Sequence, residues 1–298
     1  MPAPRAASSL EQGLQLAAAG DMEPLATWLA RRGGLPGPRA NVRLARAVAE
    51  ELVQAGAPLR PVRAQMLAKD ASVAPETTAE VFLPMVGVLA LGVEASRASA
   101  AAERTQLVQQ LHRHAEDPRR HVRHAVVLAL QTVLLAHPEQ GVEELAAWTD
   151  GYLHAEAALL ALCQAEVLAR LRSPKGVLGR LREAFSLASE ANRAHQRSHG
   201  FRSLLRTLPT SIAIAGKRFP ADVTQWLTMC ATEQAPHMRE VVDAAVADLR
   251  RVGLRQADVE GIAQALEAST PPPRDPRSYV GPTRARGRKA RRRGKGNP

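Results

Sequence analysis

The chain has 298 residues, 45% of them apolar and only nine aromatic, with a formal net charge of +11. Ala and Leu dominate the apolar set, which favours closely packed helices and disfavours sheets, whose strands want β-branched and aromatic side chains. The charge is lopsided: residues 274–298 hold ten Lys or Arg against one Asp, a net of +9, and leave +2 for residues 1–273.

No apolar–polar alternation runs longer than a few residues, so the expected fold is all-α. Residues 1–20 read as a lead-in helix; Glu11 interrupts them, and no secretory signal is seen. A first helical pair spans Glu23 to Arg31 and Asn41 to Ala55, joined by GGLPGPRA, with Asn41 as the N-cap. That Pro-rich turn, with Arg39, reads as a connector, with a contact loop as the alternative. A second pair runs from Pro61 to Ser96, with Thr77 and Glu80 at capping-box spacing and Pro84 either kinking or opening its second helix. Its apolar run Val81 to Val93 has 13 residues, short of the roughly 20 that a membrane span needs. It reads as a buried helix, and no membrane partner is expected.

The third pair places Leu107, Val108 and Leu111 before an Asp117-Pro118 turn. Val122, Ala125, Val126, Ala129 and Leu130 follow at amphipathic-helix spacing. The fourth joins Gly141–Thr149 to one long helix from His154 to Leu171, ended by Ser173-Pro174. In the fifth, Gly176–Asn192 pairs with Ser198–Leu208, and SIAIAG follows Pro209. Ala221–Ala231 and Pro236–Arg251 make the sixth, and a helix over Ala257–Ala268 caps the array. Cys163 and Cys230 fall inside apolar helical patterns, so structural thiols in a reducing cytoplasm are expected rather than a disulfide framework.

Val42-Arg43, Val122-Arg123, Phe201-Arg202 and Met238-Arg239 share one register, each opening an apolar face. Their separations of 80, 79 and 37 residues are near multiples of a unit of roughly 40. On these residues the chain resembles the HEAT-repeat, armadillo-type α-solenoids over residues 21–268. The resemblance implies a right-handed superhelix of about six helical pairs. It also implies a ladder in which an acidic turn residue stands six positions before the Arg. Asp117 with Arg123 and Glu233 with Arg239 fit that ladder, whereas Gly37 and Gln196 depart from it.

After Ser269, three prolines break any helix, and residues 269–298 read as a disordered basic tail. Arg284, Arg286, Arg288, Lys289, Arg291, Arg292, Arg293 and Lys295 alternate with Gly and Ala, a pattern suited to following a phosphate backbone without reading bases. DNA, RNA or a ribonucleoprotein is the partner expected there, and another protein on the solenoid surface. His112, His114, His121 and His124 lack the Cys or carboxylate spacing of zinc sites, and Arg119, Arg120 and Arg123 would repel a cation there. No metal or cofactor is therefore expected.

A weaker architectural resemblance is to the HEAT-like alkylpurine DNA glycosylases. It implies a cationic groove with aromatics beside a catalytic Asp, and Trp148 with Asp150 is the nearest approach. Their i, i+2 spacing puts them on different helix faces. Trp28, Trp148 and Trp226 read instead as packing between repeats. With no P-loop, GxSxG, HExxH or dinucleotide fingerprint, a non-enzymatic scaffold is the expectation.

Overall fold

The computed structural model describes residues 7–233 and 235–270. Every regular element among them is helical. The α-helices are α1 (Leu10–Ala18), α2 (Glu23–Arg32), α3 (Val42–Gln54), α4 (Arg60–Leu67), α5 (Phe82–Arg97), α6 (Ala101–His114), α7 (Arg120–Ala136) and α8 (Pro138–Glu144). They continue as α9 (Tyr152–Leu162), α10 (Ala165–Arg170), α11 (Lys175–Ser189), α12 (His199–Arg218), α13 (Pro220–Cys230), α14 (Pro236–Arg251) and α15 (Gln256–Ala268). Short 3-10 turns at Ala57–Leu59, Ala79–Val81, Leu145–Thr149 and His195–Arg197 join some of them.

The contacts run in succession. α3 packs on α5, α5 on α7, α7 on α9, α9 on α12 and α12 on α14, while α6, α8, α11 and α13 sit against members of that row. One continuous apolar core follows from Ala7 to Ile262. Its densest part is α5, in which every residue from Phe82 to Val93 is buried. The stretch 79–97 is long and apolar enough to cross a membrane, the only such helix among the described residues, and 78% of its most apolar window is buried in the fold. Gly92 allows a close backbone approach between α5 and α7, since a Cβ there would stand 2.5 Å from Ala129 Cβ and 2.6 Å from Ala129 Cα.

Local sequence signals explain several helix starts. Asn41 Oδ1 accepts the Leu44 amide at 3.1 Å, and Ser198 Oγ accepts the Phe201 amide at 3.1 Å. Pro84 lies in the first turn of α5, where its missing N–H is harmless, so it opens that helix instead of kinking it. No side chain caps the preceding 3-10 turn; its N-cap is Thr78, and the Thr77–Glu80 capping box does not form.

Two helices differ from expectation. The long helix over His154–Leu171 is broken into α9 and α10, because Cys163 and Gln164 leave helical geometry. Gln164 Nε2 then donates to the Leu160 carbonyl at 2.7 Å, and Arg218 Nε from α12 donates to the Leu168 carbonyl at 3.3 Å. The break satisfies its own loose backbone groups and turns Val167 and Leu168 into the core. Conversely, the helix after Ser198 does not stop at Leu208 but runs through Pro209 to Arg218. Phe201, Leu204, Leu208, Ile212 and Ala215 keep one buried stripe across the proline, which offsets its lost hydrogen bond. Both cysteines are free, and burial pushes each thiol up to about 12.

Candidate functional site

The repeat-register residues occupy two different places. Val122, Phe201 and Met238 are each the third residue of their helices, α7, α12 and α14, and are buried. Val42 is the first residue of α3 and only half-buried, because the Asn41 cap starts that helix two positions later in the register.

The acid–Arg spacing corresponds to a backbone contact. Arg123 Nη1 donates to the Asp117 carbonyl at 2.7 Å, and Arg239 Nη1 donates to the Glu233 carbonyl at 3.2 Å. The acids instead hold their turns, Asp117 Oδ1 accepting the Arg119 amide at 2.8 Å and Glu233 Oε1 the Ala235 amide at 3.1 Å. Where the acid is missing, Arg202 turns to the Ser198 carbonyl and Arg43 is exposed.

Bridging between units falls to Arg119, which the sequence pattern did not single out. It is 4% exposed, forks onto both Asp117 oxygens at 2.8 and 2.7 Å, and reaches the Lys69 and Ala74 carbonyls at 2.8 and 3.0 Å. Arg239 does the same at the far end, donating to Ser269 Oγ at 2.8 Å and to the Leu266 carbonyl.

The one convergence of His, Cys or acidic side chains among the described residues that brings three donors together is His112, Asp150 and His154, whose ligand atoms lie within 4.8 Å of one another. Local structure places each of them. His112 follows the buried Leu111 in the last turn of α6. Asp150 ends the 3-10 turn Leu145–Thr149, and Gly151, in extended conformation, is the N-cap of α9. The chain thus turns back so that Asp150 faces His154, four residues on.

His112 Nε2 lies 3.0 Å from Asp150 Oδ1, and His154 Nδ1 lies 2.9 Å from the same oxygen. The second contact is out of line, and His154 Nδ1 is buried without a hydrogen-bond partner. The two imidazoles stack with centroids 3.7 Å apart at 21°, and the buried Trp148 indole meets both edge-on at 5.0 and 6.1 Å. Burial, then the neighbouring His112, pushes His154 below the usual histidine range, against the pull of Asp150 and Glu116. For Asp150, burial acts upward but is outweighed by the His112 hydrogen bond and the two imidazoles, which hold it below the usual range.

Beside the cluster opens a cleft of about 280 Å³ lined by Thr105, Gln109, Glu144 and Trp148 together with His112 and Asp150. On its wall Arg104 Nε donates to Glu144 Oε1 at 2.8 Å, while Glu144 Oε2 has no partner. The larger cleft of about 570 Å³, between α1 and the end of α3, is lined by Leu10, Leu14, Ala55 and Leu59 and carries little chemistry.

The histidine grouping read from the sequence does not assemble: His112 meets residues from the next helical pair, and His121 lies 3.6 Å from Glu76. All three tryptophans are buried, Trp28 under Arg32 and Trp226 edge-on to Phe185. The candidate nucleic-acid residues Arg284, Arg286, Arg288, Lys289, Arg291, Arg292, Arg293 and Lys295 lie outside the described residues. Compared with protein-family models, curated proteins and solved structures, the chain matches none.

Proposed function

We propose that the chain is a non-enzymatic interaction scaffold, a right-handed α-solenoid of HEAT type held on nucleic acid or a nucleoprotein by its C-terminal arm. The observation that carries this reading is the charge distribution, +9 within residues 274–298 against +2 for the rest. A run of closely spaced cations releases counterions from a phosphate backbone and gives affinity without base readout. The succession of contacts from α3 to α14 supports the solenoid, since each helical pair meets chiefly its neighbours. The remaining surface is then free for a protein partner.

Base excision is the rival reading. Two observations favour the scaffold over it: Trp148 is 1% exposed, so its face is closed to a flipped base, and the Asp150 carboxylate is held by His112 at 3.0 Å.

The test is a salt titration of the full chain and a form lacking residues 271–298 against one labelled oligonucleotide. That truncation point keeps Ser269 and Thr270, which hold Arg239. Contact with about six phosphates gives a slope of log K against log salt of about −4 to −5. The truncated form should lose the affinity and the slope while melting at the same temperature. Unchanged affinity and slope would remove the arm from the mechanism.

A further inference from the structure

We propose that His112, Asp150 and His154 form a binding site for a divalent transition-metal ion of the zinc type, at the seam between the α6–α7 and α8–α9 pairs. The three ligand atoms already lie within 4.8 Å of one another. Asp150 Oδ1 lies 3.0 Å from His112 Nε2 and 2.9 Å from His154 Nδ1. Tetrahedral ligands about 2.0–2.1 Å from a zinc ion stand roughly 3.3 Å apart, so the oxygen moves a few tenths of an ångström from each nitrogen while the two rings, stacked 3.7 Å apart at 21°, turn to converge on the ion.

The His154 nitrogen supplies an independent sign of a ligand. The residue is 8% exposed, and its Nδ1 lies 2.9 Å from the shared carboxylate oxygen but out of line for a hydrogen bond. A metal ion between the two would engage both. Each ring would bind through one nitrogen and keep its proton on the other, as neutral imidazole ligands do. Trp148, itself buried, packs edgewise against both rings and forms an apolar wall of the site.

The surroundings suit a cation. On the wall of the adjoining cleft Glu144 balances Arg104, its Oε1 accepting from Arg104 Nε at 2.8 Å, and its buried Oε2 has no partner. The arginines of the Asp117 turn are committed elsewhere, Arg119 to Asp117 and two carbonyls, and Arg123 to carbonyls. Gly151 keeps the space open: a Cβ there would lie 2.7 Å from His154 Nδ1 and 3.3 Å from Glu116 Oε1. Two imidazole nitrogens and a carboxylate oxygen are a borderline donor set that favours Zn²⁺ and Co²⁺ over Ca²⁺ or Mg²⁺. Three protein ligands leave one tetrahedral position for water, beside the cleft.

The test is calorimetric titration of the chelator-treated full chain with Zn²⁺ alone, and separately with Co²⁺ read by its visible spectrum. One saturable equivalent is expected, with the intense bands of four-coordinate Co²⁺. Asp150→Asn and His112→Gln keep side-chain size at positions 56% and 23% exposed, so folding should survive, as checked by circular dichroism. Each should weaken Zn²⁺ binding by about 10-fold or more. Gly151→Ala should do the same, and Asp258→Asn in α15, whose carboxylate pairs with Arg255 at the end of the row, should not. Absence of saturable binding to the parent chain, or affinity unchanged in folded Asp150→Asn and His112→Gln, would overturn the site.

Discussion

At the scale of single residues, buried charge decides more than surface charge. Asp117 and Arg119 have side chains 10% and 4% exposed, so this is not the wetted pair that contributes about 0–1 kcal/mol. Truncating either partner strands the other, and Arg119→Ala also frees the Lys69 and Ala74 carbonyls. A loss of about 3–5 kcal/mol is expected for Arg119→Ala by urea unfolding. Arg123→Ala, which removes bonds to two partly wetted carbonyls, should cost about 1 kcal/mol. Equal losses would refute the assignment of Arg119 as the inter-unit bridge. His121 adds a pH dependence. Burial pushes it below its ordinary 6.5, Glu76 opposes and Arg120 adds to the shift. Between its folded value and 6.5 the unfolded chain binds the extra proton, so stability rises with pH across that window. His121→Gln should flatten the corresponding slope in unfolding curves measured from pH 7.5 downward; an unaltered slope would place the dependence on other groups.

At the scale of elements, helix approach is set by what the facing positions leave room for. Gly92→Ala drives a Cβ into the Ala129 backbone across the α5–α7 contact, an overpacking that should cost about 1–3 kcal/mol. Gly179→Ala in α11 meets nothing within 4 Å and should stabilise by about 0.4–1 kcal/mol. Opposite signs in paired thermal melts would confirm that close approach, not propensity, governs Gly92. The helices themselves were legible because a core stripe must recur every three or four residues, as in Val122, Ala125, Val126 and Ala129. The interruption at Cys163-Gln164 was not, since ALCQAEVL is apolar enough on either side to read as continuous helix. The structure closes it locally, Gln164 Nε2 bonding back to the Leu160 carbonyl, a contact that no periodicity announces. The cluster was half legible: Asp150 and His154 have the i, i+4 spacing that places side chains together. His112, 38 residues before Asp150, had no local signal tying it to them, and its sequence neighbours His114, His121 and His124 pointed elsewhere.

For the whole molecule, the order of contacts makes a claim about cooperativity. If stability is a sum of pair-by-pair interfaces, as the proposed solenoid requires, damage should spread from its site only to its neighbours. α5 and α7 lie inside the row and hold its most continuously buried stretch, whereas α1 and α15 lie at the ends of the array. Amide exchange should therefore be slowest in residues 82–95 and 122–134 and fastest in the two end helices. Two deletions of similar size discriminate further. Leu130, in α7, is 1% exposed and Ile262, in α15, is 0% exposed, so each cut to Ala should cost about 2–5 kcal/mol locally. Leu130→Ala should raise exchange through α5, α7 and α9. Ile262→Ala should raise it in α13, α14 and α15 while α5 keeps its parental protection, because α15 packs on α13 and α14 alone among the larger contacts. Uniform loss of protection from Ile262→Ala, reaching α5, would mean a single cooperative core and would count against the nearest-neighbour array, whatever the helix count.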